Sequence, residues 1–237
     1  MHDHHILDNE CRFERNGSTT DGPREQSRTV LVHVYAAKFP FAVESEEIYP
    51  PERKQEIEGC SNGQVRQSKY YVWKLLESAL MRTFGLKIKD LTFTHTKNGK
   101  WECPDCCFSL SHSGALVAVA LSKKSVGVDI ERKDEARFDE KLAQKILTER
   151  EKKAWEQLEK QRSAALNTIW TKKEALFKCT GEGGFTPRSL ETTGAVLISK
   201  ELACEDERYI LSVASQDAPR ALFRLGDGIE LVENQKQ

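Results

Sequence analysis

Apolar and polar residues alternate with period two over residues 29–37 (Thr-Val-Leu-Val-His-Val-Tyr-Ala-Ala), which predicts a first strand burying Val30, Val32 or their neighbours. The rhythm breaks at Tyr49-Pro50-Pro51, where prolines ahead of a first turn predict a helix start carrying Arg53 and Lys54. Across residues 67–84, Tyr71, Leu75, Leu76 and Leu80 recur at helical spacing, with Lys69 near the start and Gly85 as the stop. A short strand is expected over 91–95, then a glycine turn at Asn98-Gly99-Lys100, then an apolar strand after Phe108-Ser109-Leu110-Ser111-His112-Ser113-Gly114. Residues 125–131 alternate again, which sends Asp129 and Glu131 to one face. A helical region follows over 138–158, with Thr148 to Glu151 spaced as a capping box, and a strongly helical segment closes at Lys178. Four runs, 194–199, 209–214, 220–225 and 229–232, read as an antiparallel sheet backing that last helix.

Strand, helix, helix, strand, strand thus recurs in both halves. The expected fold class is α+β in two similar lobes, residues 29–126 and 127–237, after a polar extension over 1–28. Three early histidines in that extension read as incidental rather than as a metal site, and its lack of an apolar core argues against a secretory signal. A net charge of −1 with 31% charged residues gives no electrostatic bias toward nucleic acid or membrane. No apolar run is long enough to span a bilayer. Seven cysteines, an odd count, argue against a disulfide framework and for a reducing, cytoplasmic setting. Cys103-Pro104-Asp105-Cys106 is half of a zinc pattern without a second half, and precedes a strand, so loop or buried thiols are expected.

The chemistry concentrates between Ser125 and Gly184. Trp170, Glu174 and Lys178 are spaced by four and share a helix face. If that helix crosses the strand of Asp129 and Glu131, three carboxylates converge, and their repulsion calls for a cation between them. All-oxygen ligation with room for water suits magnesium, with manganese left open. Lys178, one turn beyond Glu174, then offers a positive charge to a phosphate. The bland alternatives are a solvated Glu–Lys pair and the wet face of a strand. Glycines 181, 183 and 184 follow a helix instead of preceding one, which does not suit a phosphate cradle.

Gly127-Val128-Asp129-Ile130-Glu131, followed some forty residues later by Trp170-x-x-Lys173-Glu174-x-x-x-Lys178, resembles the signature of the 4′-phosphopantetheinyl transferases, in their surfactin-synthetase-type class. Ser111-His112-Ser113-Gly114 resembles a second motif of that family, and Gly99-Lys100-Trp101 stands where the family usually shows Gly-Lys-Pro. The resemblance implies the pseudo-twofold transferase fold, with coenzyme A at the junction of the lobes. It also implies transfer of the 4′-phosphopantetheine arm to a serine of an acyl or peptidyl carrier protein, releasing 3′,5′-ADP (a holo-carrier-protein synthase activity). By the same resemblance Asp129, Glu131 and Glu174 hold Mg²⁺, while Arg53, Lys69, Lys100, Ser111 and His112 contact the coenzyme, with Lys54 a neighbour of Arg53. Lys178 steadies the leaving oxygen, and Glu151 or Glu131, directly or through water, takes the serine proton. Lys173 lies off the helix face, and Trp170 reads as packing. The family acts mostly as monomers, without nucleic acid or membrane. Two other readings remain open: a carrier-binding module without catalysis, and a magnesium-dependent phosphohydrolase.

Overall fold

The computed structural model describes residues 29–97, 99–134, 136–180 and 183–232. The expectations for the polar extension, for Asn98 and for Gly181 fall outside them. Strand β1 (Thr29–Lys38) is followed by helix α1 (Pro51–Glu58) and the long α2 (Gly63–Phe84). Two short strands, β2 (Thr94–His95) and β3 (Trp101–Glu102), form a ribbon, and β4 (Cys107–Ser113) and β5 (Leu116–Ser122) form a hairpin. The second half repeats this plan with β6 (Val126–Arg132), helices α3 (Glu140–Ile146), α4 (Glu149–Glu156) and α5 (Arg162–Thr180), and the hairpin of β7 (Leu197–Cys204) and β8 (Glu207–Ser215). Strands β9 (Ala218–Leu225) and β10 (Ile229–Leu231) complete the described chain.

Each half builds the same sheet. In the first, the order β4-β5-β1 puts the hairpin's second strand antiparallel to the opening strand; in the second, β7-β8-β6 does the same. The protein is therefore an α+β fold of two similar lobes. Period-two alternation then sorts the side chains into layers. Val30, Val32 and Val34 of β1 face Val128, Ile130, Leu211 and Val213 across the two sheets, while Tyr35, Val117, Val119 and Leu121 face Trp73, Leu76 and Leu80 of α2. Ala175 and Cys179 of α5 pack on Ala214 at the far side. The layers run helix, sheet, sheet, helix.

The C-terminal strands correct one expectation. They do not form a single antiparallel sheet: β9 pairs parallel with β1, Thr29 opposite Ala218 through Ala36 opposite Leu225, and so belongs to the first sheet. Only β10 extends the second, against β7. Ala221, Phe223 and Leu225 cover the core between the sheets, which the alternation of β9 alone could not assign to one sheet or the other. Helix α2 also starts earlier than its apolar rhythm suggests. The Asn62 side chain accepts from the amides of Gln64 and Val65, and Gly85 at φ 68° closes the other end.

Candidate active site at the junction of the lobes

Strand β4 edges one sheet and β6 edges the other, and side chains join them. Ser109, Ser111 and Ser113 alternate along β4 and accept from the backbone amides of Val128 (3.0 Å), Ile130 (3.2 Å) and Arg132 (3.0 Å). Two of these hydroxyls also donate to the β6 carboxylates: Ser111 to Asp129 Oδ1 at 2.7 Å, Ser113 to Glu131 Oε2 at 3.0 Å. Helix α5 crosses β6 in close contact because Gly127 has no side chain. A Cβ there would lie 1.9 Å from the Ala175 carbonyl oxygen. That approach brings the 170, 174, 178 face of α5 onto the acids of β6, as the spacing predicted.

Lys178 Nζ lies 2.7 Å from Asp129 Oδ1 and 3.2 Å from Ser111 Oγ. Asp129 is buried, and its other oxygen, Oδ2, has no partner among the described residues. Desolvation raises the Asp129 pKa, against the pull of Lys178 and Ser111. Glu131 is held on both oxygens: Arg137 spans them at 2.9 and 3.1 Å, Trp170 Nε1 donates to Oε1 at 3.2 Å, and Ser113 takes Oε2. Trp170 is thus a polar contact as well as a packing residue. Glu174 accepts no hydrogen bond among the described residues, and desolvation pushes its pKa up to about 7, with Lys178 opposing and Asp129 and Glu131 adding to the rise. Among the described residues no three His, Cys, Asp or Glu side chains are grouped as a metal site; Lys178 and Arg137 stand beside the acids as their counter-charges.

A cavity of about 340 Å³ opens beside these groups, in the size range of small-molecule sites. Arg53, Lys69, Lys100, His112 and Lys178 supply its polar wall, and Val72, Trp101, Leu110 and Phe177 its apolar one. The structure brings these five side chains around one cavity, four from the first half of the chain and Lys178 from α5. Lys54 is exposed, 3.8 Å from Glu58, and does not line the cavity. Lys100 donates to the Lys178 carbonyl at 2.9 Å, satisfying one of the orphan acceptors at the end of α5. Desolvation, then Lys178, lowers the His112 pKa, which leaves a neutral imidazole able to donate near pH 7. Ser111 lines the cavity, but its hydroxyl is already committed to β6; its role here is to hold Asp129.

Glu151 departs from expectation, and Lys173, off the helix face as read, is its partner. Glu151 is 4% exposed and receives Lys173 Nζ at 2.7 Å, the Thr148 amide at 3.0 Å, and the amide and hydroxyl of Thr192 at 3.0 and 2.6 Å. Burial alone would raise its pKa, but Lys173 and Thr192 hold it below the ordinary carboxylate value. A carboxylate with every lone pair engaged inside the protein is poorly suited to take a proton from an incoming group. Lys173, fully buried, also donates to the carbonyls of Pro187 and Leu190. The pair is a buried strut between α4, α5 and the 187–192 turn, not part of the cleft.

Several site residues escaped the sequence reading. Arg137 and the Trp101 indole carried no periodic signal. Ser109 and Ser113 did, since they alternate with Ser111. Glu56, three residues after Arg53 on α1, did too. Cys103 and Cys106 pair through their backbones as an antiparallel β-bridge with both thiols free and buried, and desolvation pushes the Cys106 thiol up to about 12.

The class defined by fold and site is an α+β protein of two repeated lobes that sets a cationic wall against buried and half-buried acids. Residues 125–224 match the 4′-phosphopantetheinyl transferase superfamily. The 4′-phosphopantetheinyl transferase gsp of Aneurinibacillus migulanus is 32% identical over 116 residues, 48% of this chain and 48% of that protein. The 4′-phosphopantetheinyl transferase psf-1 of Bacillus pumilus is 30% identical over 156 residues, 61% of this chain and 66% of that one. The matches thus span about half of the first relative and just under two thirds of the second. The solved Thermotoga maritima holo-[acyl-carrier-protein] synthase is similar over 40% of this chain and 64% of its own at 26% identity, with a TM-score of 0.28.

Proposed function

We propose that this protein transfers the 4′-phosphopantetheine arm of coenzyme A to a serine of an acyl or peptidyl carrier protein, and that 3′,5′-ADP leaves. The observation that carries the reading is the cavity between the lobes, where four basic side chains face the Asp129–Lys178 pair. A polyanionic coenzyme needs such a wall, because charge-assisted hydrogen bonds to phosphate are the strong ones. Arg53, Lys69, Lys100 and His112 bind its phosphates in this reading. Lys178 steadies the oxygen of the departing nucleotide.

A divalent cation, magnesium or manganese, fits the residues present. Asp129 Oδ2 is a buried acceptor without a donor, and Glu174 accepts no hydrogen bond from the described residues. Asp129 and Glu174 would hold the ion, joined by Glu131 once Arg137 gives way; its chemistry there would be to neutralise charge on the pyrophosphate. Glu131 is also the base in this reading, since Glu151 is sealed in the protein. The half-exposed Arg137 can swing away from Glu131, freeing an oxygen for the serine proton. The serine oxygen bonds to phosphorus, the bond to the departing nucleotide breaks, and the proton goes to Glu131. No described helix is long and apolar enough to cross a membrane, and we place the chain as a cytoplasmic monomer.

Intact-mass analysis of apo carrier proteins incubated with this protein, coenzyme A and Mg²⁺ tests the proposal. One added phosphopantetheinyl group, lost with Glu174→Ala or EDTA, is expected. Coenzyme binding without transfer to any carrier type would favour a binding module. Cleavage of the coenzyme without a carrier would favour a phosphohydrolase.

A further inference from the structure

Behind the cationic wall sits an acid that does not line the cavity. Glu56 Oε1 accepts from Lys69 Nζ at 2.8 Å; Oε2 accepts from Arg53 Nη1 at 2.6 Å and from Trp101 Nε1 at 3.0 Å. All three donors line the cavity. Arg53 is 4% exposed, stacked 4.8 Å over the Trp73 ring, and its Nε has no partner among the described residues. A buried guanidinium needs a counter-charge, and Glu56 is the carboxylate bonded to it.

We infer that Glu56 is the resident counter-ion of the cavity: it neutralises Arg53 and Lys69 in the empty protein and, by competing for them, sets how tightly the cavity takes a phosphate anion. The inference rests on the reading of this cavity as a phosphate site. A positioning role alone predicts that loss of Glu56 weakens both the fold and anion binding. A counter-ion role predicts opposite signs. Without Glu56 the empty protein holds unneutralised Arg53 and Lys69 charges and is less stable, and an arriving anion relieves them and binds more tightly.

The test compares the full chain with Glu56→Gln, which keeps the size and an acceptor for Trp101. Calorimetric Kd values for inorganic pyrophosphate and for 3′,5′-ADP would be measured beside the melting temperature with and without each. We expect a lower melting temperature for the empty variant, a larger rise on adding anion, and a Kd lower by about five-fold, the order carried by a half-exposed charge pair. An unchanged or higher Kd overturns the inference while leaving the phosphate site standing. Absence of binding by the unaltered chain overturns the phosphate site and the inference together. Glu56→Asp, which keeps the charge but draws it back from Lys69, guards against a misfolded Gln variant and should give a smaller shift of the same sign.

Discussion

Lys173 and Glu174 are neighbours in the chain and end in opposite environments. The Lys173 ammonium is sealed in the protein against Glu151, whereas Glu174 accepts no hydrogen bond among the described residues and borders the cleft. Their substitutions should separate cleanly. Lys173→Met leaves Glu151 as a buried, uncompensated carboxylate, and we expect a loss of about 3–5 kcal/mol in urea denaturation. Glu174→Gln should raise the denaturation midpoint at neutral pH, because burial disfavours the ionised carboxylate, and abolish transfer. Glu56 makes a pH prediction. Burial alone would raise its pKa, but Lys69, Trp101 and Arg53 hold it at about 2, below the 4.5 of the unfolded chain. Between those values the unfolded state binds the extra proton, so the stability Glu56 contributes is complete above about pH 4.5 and is lost as pH falls toward 2. Melting temperatures from pH 5 to 3 should therefore fall less steeply for Glu56→Gln than for the parent.

At the scale of elements, the decisive contact is α5 on β6. Gly127 permits it, Ser125 Oγ bonds the Cys179 carbonyl, and Asn167 Nδ2 bonds the Arg132 carbonyl at 3.0 Å, so the helix is fixed to the strand at three points along its length. Gly127→Ala must push α5 outward, since its methyl would meet backbone rather than a movable side chain. Overpacking of this kind costs about 1–3 kcal/mol. Because the shift carries Glu174 and Lys178 away from Asp129, transfer activity should fall further than the loss of folded protein explains. Activity normalised to the folded fraction from circular dichroism checks this. The face carrying 170, 174 and 178 was legible from helical spacing, as was the shared face of Asp129 and Glu131. That Asp129 is buried while Glu131 keeps 14% of its side chain exposed was not, because depth under a helix is set by which residues lie across from each acid.

For the whole molecule, β9 is the element that binds the lobes. It leaves the second sheet after β8 and runs parallel beside β1, at the outer edge of the first. Residues 29–126 expressed alone would expose that edge and the valines of β1 that face the other sheet. We expect this fragment to show no cooperative thermal transition, whereas the intact chain unfolds in one. Two separate transitions in the intact chain would contradict this.

Much of the plan was written locally. Period-two runs, the Asn62 and Thr148 caps, and Gly85 as a helix stop specify elements through short-range sterics and hydrogen bonds, and the 127–131 and 170–178 motifs placed their acids on defined faces. Within each lobe the hairpins β4–β5 and β7–β8 are local, whereas their pairing with β1 and β6 joins strands far apart in the chain. Which carboxylate would be sealed and which left free was settled only in three dimensions. Glu151 met Lys173 and the amide and hydroxyl of Thr192 from distant segments, beside the amide of its own cap, and Glu131 met Arg137, while one oxygen of Asp129 met no partner among the described residues. Solvation and charge pairing depend on partners far apart in the chain, and no periodicity records them.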